Sequence, residues 1–230
     1  MLQTRGWGII AMPFLFLLLI ASCTPEAATV STVSSEEVNL RNICPNQWNG
    51  IIPGQINESE ALAILKSQSF VEDGSIRTFQ VAESIERVDW KQSGAILARS
   101  WGTMLIVDGT VVSLRVPVQG NISLQRWINE CGAPEQIRAS RDGESPFVWL
   151  ELFYPQKGWL IVSRQESRNR EHVTISKDAK IVEIEYFSPT SLTEYLKNVR
   201  LIDDITMRNT MLNEFHSWPG IGGNVELASH

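Results

Sequence analysis

The stretch VDGTVV, Val107 to Val112, places Asp108-Gly109 between two apolar runs, Met104 to Val107 and Val111 to Val116. Both central residues tolerate positive φ, which a two-residue hairpin turn requires, so this is the strongest hairpin signal in the chain. Val112, Leu114 and Val116 alternate with Ser113 and Arg115, which predicts a second strand with one buried face. Upstream, WNGIIPGQINESEALAILKSQSF, Trp48 to Phe70, opens on a Pro53-Gly54 turn signal. Asn57 then stands as a helix cap with Glu60 three residues on. Ala61, Leu62, Ile64 and Leu65 supply an apolar stripe, and Lys66 suits the negative end of the helix dipole.

The same plan recurs downstream. In NISLQRWINECGAPEQI, Asn121 to Ile137, Ser123 caps a helix whose Leu124, Trp127, Ile128 and Cys131 fall at i, i+3, i+4 and i+7, and Gly132 with Pro134 ends it. Cys131 is thereby placed toward a core. Strands are predicted in VWLELFYPQKGWLIVSR, turning at Pro155 to Gly158, and in HVTISKDAKIVEIEYF, turning at Lys177 to Ala179. Val182, Ile184 and Tyr186 alternate with Glu183 and Glu185, as in a strand with one wet face. The expected fold is α+β: two similar units, 41–118 and 119–188, each a short helix plus a three- to four-stranded antiparallel sheet. Duplication is the economical explanation, and spacing leaves open whether the units lie side by side or share one sheet. In 189–230, Ser191 and Glu194 form a capping box ahead of Leu192, Tyr195, Leu196 and Val199, and the glycine-rich end is expected to be irregular, anchored by Trp218.

The amino terminus sets the compartment. Arg5 precedes an apolar run from Ile9 to Ala21, interrupted by Pro13, with no acidic residue. That is a positive end followed by an export signal's apolar core, and it falls short of the roughly 20 apolar residues of a spanning helix. Ile20, Ala21 and Ser22 before Cys23 closely resemble the lipobox of bacterial lipoproteins. The resemblance implies cleavage between Ser22 and Cys23 and a diacylglyceryl group on the Cys23 sulfur, with 1–22 removed as a signal peptide. One acyl chain, at about 0.8 kcal/mol per buried methylene, binds membranes only marginally, and a second makes the anchor stable. Residues 23–40 are rich in Thr, Ser, Ala, Glu and Pro and are expected to form a flexible tether.

The formal charge of −6 becomes −7 without the segment before Cys23, because Arg5 is its only charged residue. Nucleic acid and anionic headgroups reward a basic face and are poor candidate partners. Cys44 and Cys131 remain in a compartment that permits a disulfide, and the alternative is two unconnected buried thiols. His172, His216 and His230 are widely separated, which lends a metal site no support, and no cofactor motif appears. Glu183 with Glu185 and Asp203 with Asp204 are neighbouring carboxylates of the kind that does acid and base work, and a solvated strand face and a helix end account for them more simply. Among seven tryptophans after Cys23, Trp149 shares a strand face with Phe153. Exposed together they would make a binding patch; otherwise they pack under the other unit or the terminal helix.

Tandem capped helices with antiparallel strands behind a lipobox resemble the SmpA/OmlA-type fold, found once in a small lipoprotein of the outer-membrane assembly machinery and twice in secreted β-lactamase inhibitory proteins. GIIPGQINESEALAIL and GNISLQRWINECGAPEQI carry the resemblance, through a turn, a capped helix and a Gly-x-Pro step. The first half departs from it, with Ser67-Gln68-Ser69 at the Gly-x-Pro position. Three functions are consistent with these features. The first is a lipid-anchored, non-catalytic extracytoplasmic module that binds another envelope or extracellular protein or has a structural role. The others are a small-molecule or glycan-binding module and a hydrolase with a dispersed site. A flat aromatic face, an aromatic-lined pocket and a cluster of titratable groups would respectively distinguish them.

Overall fold

Asn57 and Ser123 begin the two helices on which the architecture is hung. In the computed structural model, which describes residues 44, 47–92, 101–118 and 121–228, α1 (Glu58–Lys66) starts where the Asn57 side chain accepts the Glu60 amide. Helix α2 (Leu124–Cys131) starts where Ser123 accepts that of Arg126 and ends at Gly132, φ +86°. The strands are β1 (Arg77–Ala82), β2 (Ile85–Lys91), β3 (Trp101–Val107), β4 (Thr110–Pro117), β5 (Gln136–Arg141), β6 (Phe147–Tyr154), β7 (Trp159–Glu166), β8 (His172–Thr174) and β9 (Lys180–Phe187). After them come α3 (Leu192–Glu194), running on into a π-helical turn at Tyr195–Val199, then α4 (Ile205–Glu214), β10 (His216–Ser217) and β11 (Asn224–Glu226).

Nine strands form one sheet in the order β1-β2-β3-β4-β9-β7-β6-β5-β10, and the pairings within it are antiparallel. Its centre is the β4–β9 pair, in register from Ser113 opposite Phe187 to Pro117 opposite Glu183. Both helices dock on one face, where Ala61, Leu65, Leu124 and Trp127 meet Val88, Met104, Leu114, Leu150 and Ile161 in one core. On the opposite face Leu192, Tyr195, Leu196, Val199 and Phe215 cover Phe153, Leu160 and Phe187. The sheet is therefore buried on both sides over part of its width. This explains why β6 ends in a run of three buried residues, Leu152 through Tyr154, where simple alternation would leave every second one wet.

The helix starts are tied to the sheet in matching ways. The Glu58 amide donates to Gly109 and the Val111 amide to Ile56; correspondingly, the Leu124 amide donates to Ala179 and the Ile181 amide to Ile122. Asn57 bridges Thr110, and Ser123 bridges Lys180.

Four expectations are corrected. On β4 the pairing steps from Ser113 opposite Leu105 to Val111 opposite Ile106, so Val112 is the extra residue of a bulge. Val111, Leu114 and Val116 turn to the helix-covered core, and Ser113 is buried on the other face. The Lys177 to Ala179 turn exists, but β8 pairs with β11 in a separate two-stranded sheet, so the strands beside that turn are not hairpin partners. The chain end is likewise not wholly irregular, since Val225 of β11 is buried. Finally, β9 has no wet face: Glu185 is 3% exposed beneath the C-terminal helices. No local periodicity announces that cover, because it comes from residues outside the strand.

A disulfide joins Cys44 and Cys131 across 87 positions, with Cα atoms 5.8 Å apart. It fastens the start of the described chain to the last turn of α2. Closing so long a loop removes entropy from the unfolded chain, so reduction, or Cys44→Ser, is expected to lower the unfolding free energy by about 2–3 kcal/mol. Guanidinium titrations of the oxidised and reduced full chain check this; superimposable curves would contradict it.

Candidate functional site

The sheet face opposite α1 and α2 is unevenly covered. Over β6, β7 and β9 it holds an aromatic stack: Phe153 and Phe187 lie parallel with centroids 5.6 Å apart, Tyr195 sits 4.7 Å from Phe187, and Phe215 closes edge-on at 6.2 Å from Phe153. Phe153 is fully buried here. Of the two outcomes open to Trp149 and Phe153, an exposed patch or packing under the terminal segment, Phe153 takes the second, because Tyr195 and Phe215 arrive from the C-terminal segment and lie on it. Trp149 is half-buried beyond that cover, with the Arg164 guanidinium 5.9 Å from its ring and 4.5 Å from that of Phe147.

Next to the stack, β4, β6 and β9 carry charge on this face. Arg115 reaches Glu183 at 3.3 Å and Glu185 at 3.1 Å. Arg200 reaches Glu185 at 3.4 Å and Glu151 at 3.3 Å. Arg138 holds Glu151 at 2.9 Å and Glu214 of α4 at 2.7 Å. The Tyr195 hydroxyl donates to Glu185 at 2.8 Å and accepts from Arg200 Nε at 2.5 Å. Burial would push the Glu185 carboxyl up, but Arg200, Arg115 and the Tyr195 hydroxyl outweigh it and hold it below the usual range. Glu183 goes the other way, since burial pushes it up more than Arg115 pulls it down. The same surroundings raise Tyr195 well above the ordinary phenol range, with burial as the main cause and Glu185 next. These side chains tie the C-terminal segment to the sheet as mutual hydrogen-bond partners.

The network opens onto a groove of about 430 Å³. Its floor is sheet, with Arg87, Asp89, Thr103, Leu105, Ser113 and Arg115; its wall is Val199, Arg200 and Leu201 from the turn after the π-helix. Strand register continues the surface outward. Phe79, Arg87, Leu105 and Ser113 form one row across β1 to β4, and Arg77, Asp89, Thr103 and Arg115 form the next. Trp101, opposite Lys91, lies on the same side as Thr103. Phe79 and Trp101 are each 40% exposed, and Arg87 stacks over Phe79 at 5.2 Å.

The other candidate residues are dispersed. Asp204 caps α4 by accepting the Met207 amide at 2.8 Å, and Asp203 precedes it in the connecting segment. His172 lies on β8 and His216 on β10. Among the described residues no group of three or more His, Cys, Asp or Glu could hold a metal ion, and no helix is long and apolar enough to cross a membrane. Ser22, Cys23 and His230 lie outside the described residues. Sequence reasoning missed Arg87, Arg115 and Arg200. Arg115, Glu183 and Glu185 did carry a signal, charges within strands whose neighbours are apolar, but it read as solvent exposure. Compared with family models, curated proteins and solved structures, the chain matches none.

Proposed function

We propose that this protein is a lipid-anchored extracytoplasmic module that binds another envelope or extracellular protein through the open part of its sheet face. The single observation carrying this reading is the uneven cover. The C-terminal helices overlie the aromatic stack, whereas the neighbouring strands present Phe79, Trp101 and Arg87 to solvent on a broad, shallow surface. Two aromatic rings and an arginine are the residue types that most often anchor protein interfaces. The anchor itself is the diacylated Cys23, on the resemblance of Ile20-Ala21-Ser22-Cys23 to a lipobox.

A tandem duplication accounts for the scaffold. In each half a capped helix precedes four strands of the sheet, and the paired hydrogen bonds of Ile56 and Glu58 on one side and Ile122 and Leu124 on the other support it. On this view the two units share one sheet through their last strands, β4 and β9. Small-molecule or glycan binding is the weaker reading, since the aromatic rings beside Trp149 are already faced by Arg164.

Two measurements in intact cells test the proposal. Labelled palmitate is expected to enter the wild-type product and not the Cys23→Ala variant. A photo-reactive residue at Trp101 is expected to cross-link one protein neighbour reproducibly, and Phe79→Ala should reduce the yield several-fold. Labelling that survives Cys23→Ala rules out the anchor, and absence of any cross-link rules out the binding face.

A further inference from the structure

We infer that β1 is a pairing edge for a second copy of this chain, the two β1 strands running antiparallel about a two-fold axis at Gln80 so that the sheets of both copies join into one. This goes beyond the binding face proposed above, because it uses the backbone edge of the strand and leaves the sheet face open.

The two edges of the sheet are finished differently. At one end β10 is only two residues long. The chain end also crosses β5 there, with Leu227 bridging Ala139 and the Ala228 amide donating to the Ala139 carbonyl. Short strands and covering segments are how proteins blunt an edge. At the other end β1 is last in the order, six residues long and exposed along its whole length. It contains neither Pro nor Lys, and it carries Phe79 and Val81, two of the exposed large apolar side chains. An outer antiparallel strand points the N–H and C=O groups of alternate residues away from its neighbour, where they are donors and acceptors for one more strand.

Symmetry within the sequence selects the occupant. The stretch RTFQVAE, Arg77 to Glu83, is antisymmetric about Gln80: a cation stands three positions before it and an anion three after, an aromatic ring one before and a β-branched side chain one after. Two antiparallel copies centred on Gln80 set Arg77 of each opposite Glu83 of the other, and Phe79 opposite Val81. Opposite charges and aromatic–β-branched pairs are the cross-strand neighbours that stabilise antiparallel strands, and like charges at the same places repel. Within one copy neither charge is used. Among the described residues the Arg77 and Glu83 side chains have no ion-pair or hydrogen-bond partner, and Glu83 is engaged only through its backbone carbonyl, by Gln80 Nε2. The chain's own β1 answers both ends of this pattern at once, because a two-fold pair makes every contact twice.

The local geometry limits the strength of the pair. Val81 is the extra residue of a bulge against β2, spanned by Gln80 Nε2 as it donates to the Ala82 and Glu83 carbonyls. The bulge keeps the regular ladder short, so the small interface forms an equilibrium between monomer and dimer. Residues opposite one another in an antiparallel pair project to the same face, so both open faces lie on one side of the joined sheet.

The test uses the full chain in intact cells. Gln80→Cys puts a thiol on the axis, where it meets its own copy, and a short bis-maleimide is expected to yield a covalent dimer. Ser217→Cys on β10, at the opposite edge, is the collision control and should stay monomeric. In the Gln80→Cys background, Arg77→Glu or Glu83→Arg should each cut the dimer yield about tenfold, since like charges then face one another twice, and both reversals together should restore it. If circular dichroism shows that Gln80→Cys upsets the hairpin, co-expressed Thr78→Cys and Ala82→Cys copies, opposite one another in the same register, give the same reading. No dimer from either arrangement, or an equal yield from Ser217→Cys, overturns the pairing. A yield indifferent to the reversals, or not restored by the two together, overturns the register at Gln80. A cross-link from position 80 to a different protein overturns the second copy as the occupant.

Discussion

Glu185→Ala is expected to lower the unfolding free energy by about 3–5 kcal/mol, the usual cost of removing one partner from a buried ion pair. The carboxylate is 3% exposed and accepts from Arg115, Arg200 and Tyr195. Without it, two guanidinium groups face one another in a low-dielectric site and the Tyr195 hydroxyl loses its acceptor. The C-terminal segment should loosen first, because Arg200 and Tyr195 belong to it, so amide exchange at Leu196 and Val199 should accelerate before global unfolding. A loss below about 1 kcal/mol would mean that Arg115 and Arg200 are satisfied by Glu183 and Glu151 alone.

The same network sets a pH signature. Glu185 is held below its unfolded value, so the unfolded chain binds the extra proton as pH falls through the acid range, and stability drops there. Glu183 is raised, so the folded chain is the one that retains a proton just above the ordinary glutamate range, and stability drops as pH rises through that window. These two groups together favour a maximum near the ordinary glutamate pKa, about 4.5. Glu183→Gln should flatten the alkaline limb and leave the acid limb in place. Denaturant titrations across pH 2 to 7 read both limbs, and identical profiles for wild type and Glu183→Gln would refute the assignment.

Gly102→Val is expected to cost about 3 kcal/mol for a different reason. Gly102 stands directly opposite Trp90 in the β2–β3 pair, and a Cβ added there would fall inside the Trp90 indole. Trp90 is fully buried and Trp48 packs 5.8 Å away, so the indole has no open space into which to swing. The ring must leave its site or the strands must part. A double-mutant cycle isolates this cause: in a Trp90→Ala background, Gly102→Val should cost far less. Equal costs in both backgrounds would place the strain elsewhere.

Several elements were legible because their causes are local. Asn57, Ser123 and Ser191 accept hydrogen bonds from amides three residues on, as their spacing from the helical stripes implied. Asp108-Gly109 turns a hairpin, with both residues at positive φ. Where the cause is distant, legibility fails. Phe153 looked available for binding because its strand neighbours alternate, yet Tyr195, more than 40 positions away, closes over it at 5.3 Å. Helix α4 escaped notice because it buries none of its residues and so shows no apolar stripe. The arginine groove draws on β2, β3, β4, β9 and the turn before α4, and no window of sequence contains it.

Sequence alone determined the α+β class, the starts of α1, α2 and α3 and the main hairpin turn, since each depends on residues within hydrogen-bonding or helical reach of one another. Only the tertiary structure decided that nine strands make one sheet, that Cys44 is bonded to Cys131, and which part of one sheet face stays open. Those outcomes follow from burial and charge pairing between segments far apart in the chain. Alternation says that a strand has two faces, but what covers each face depends on where the rest of the polypeptide packs.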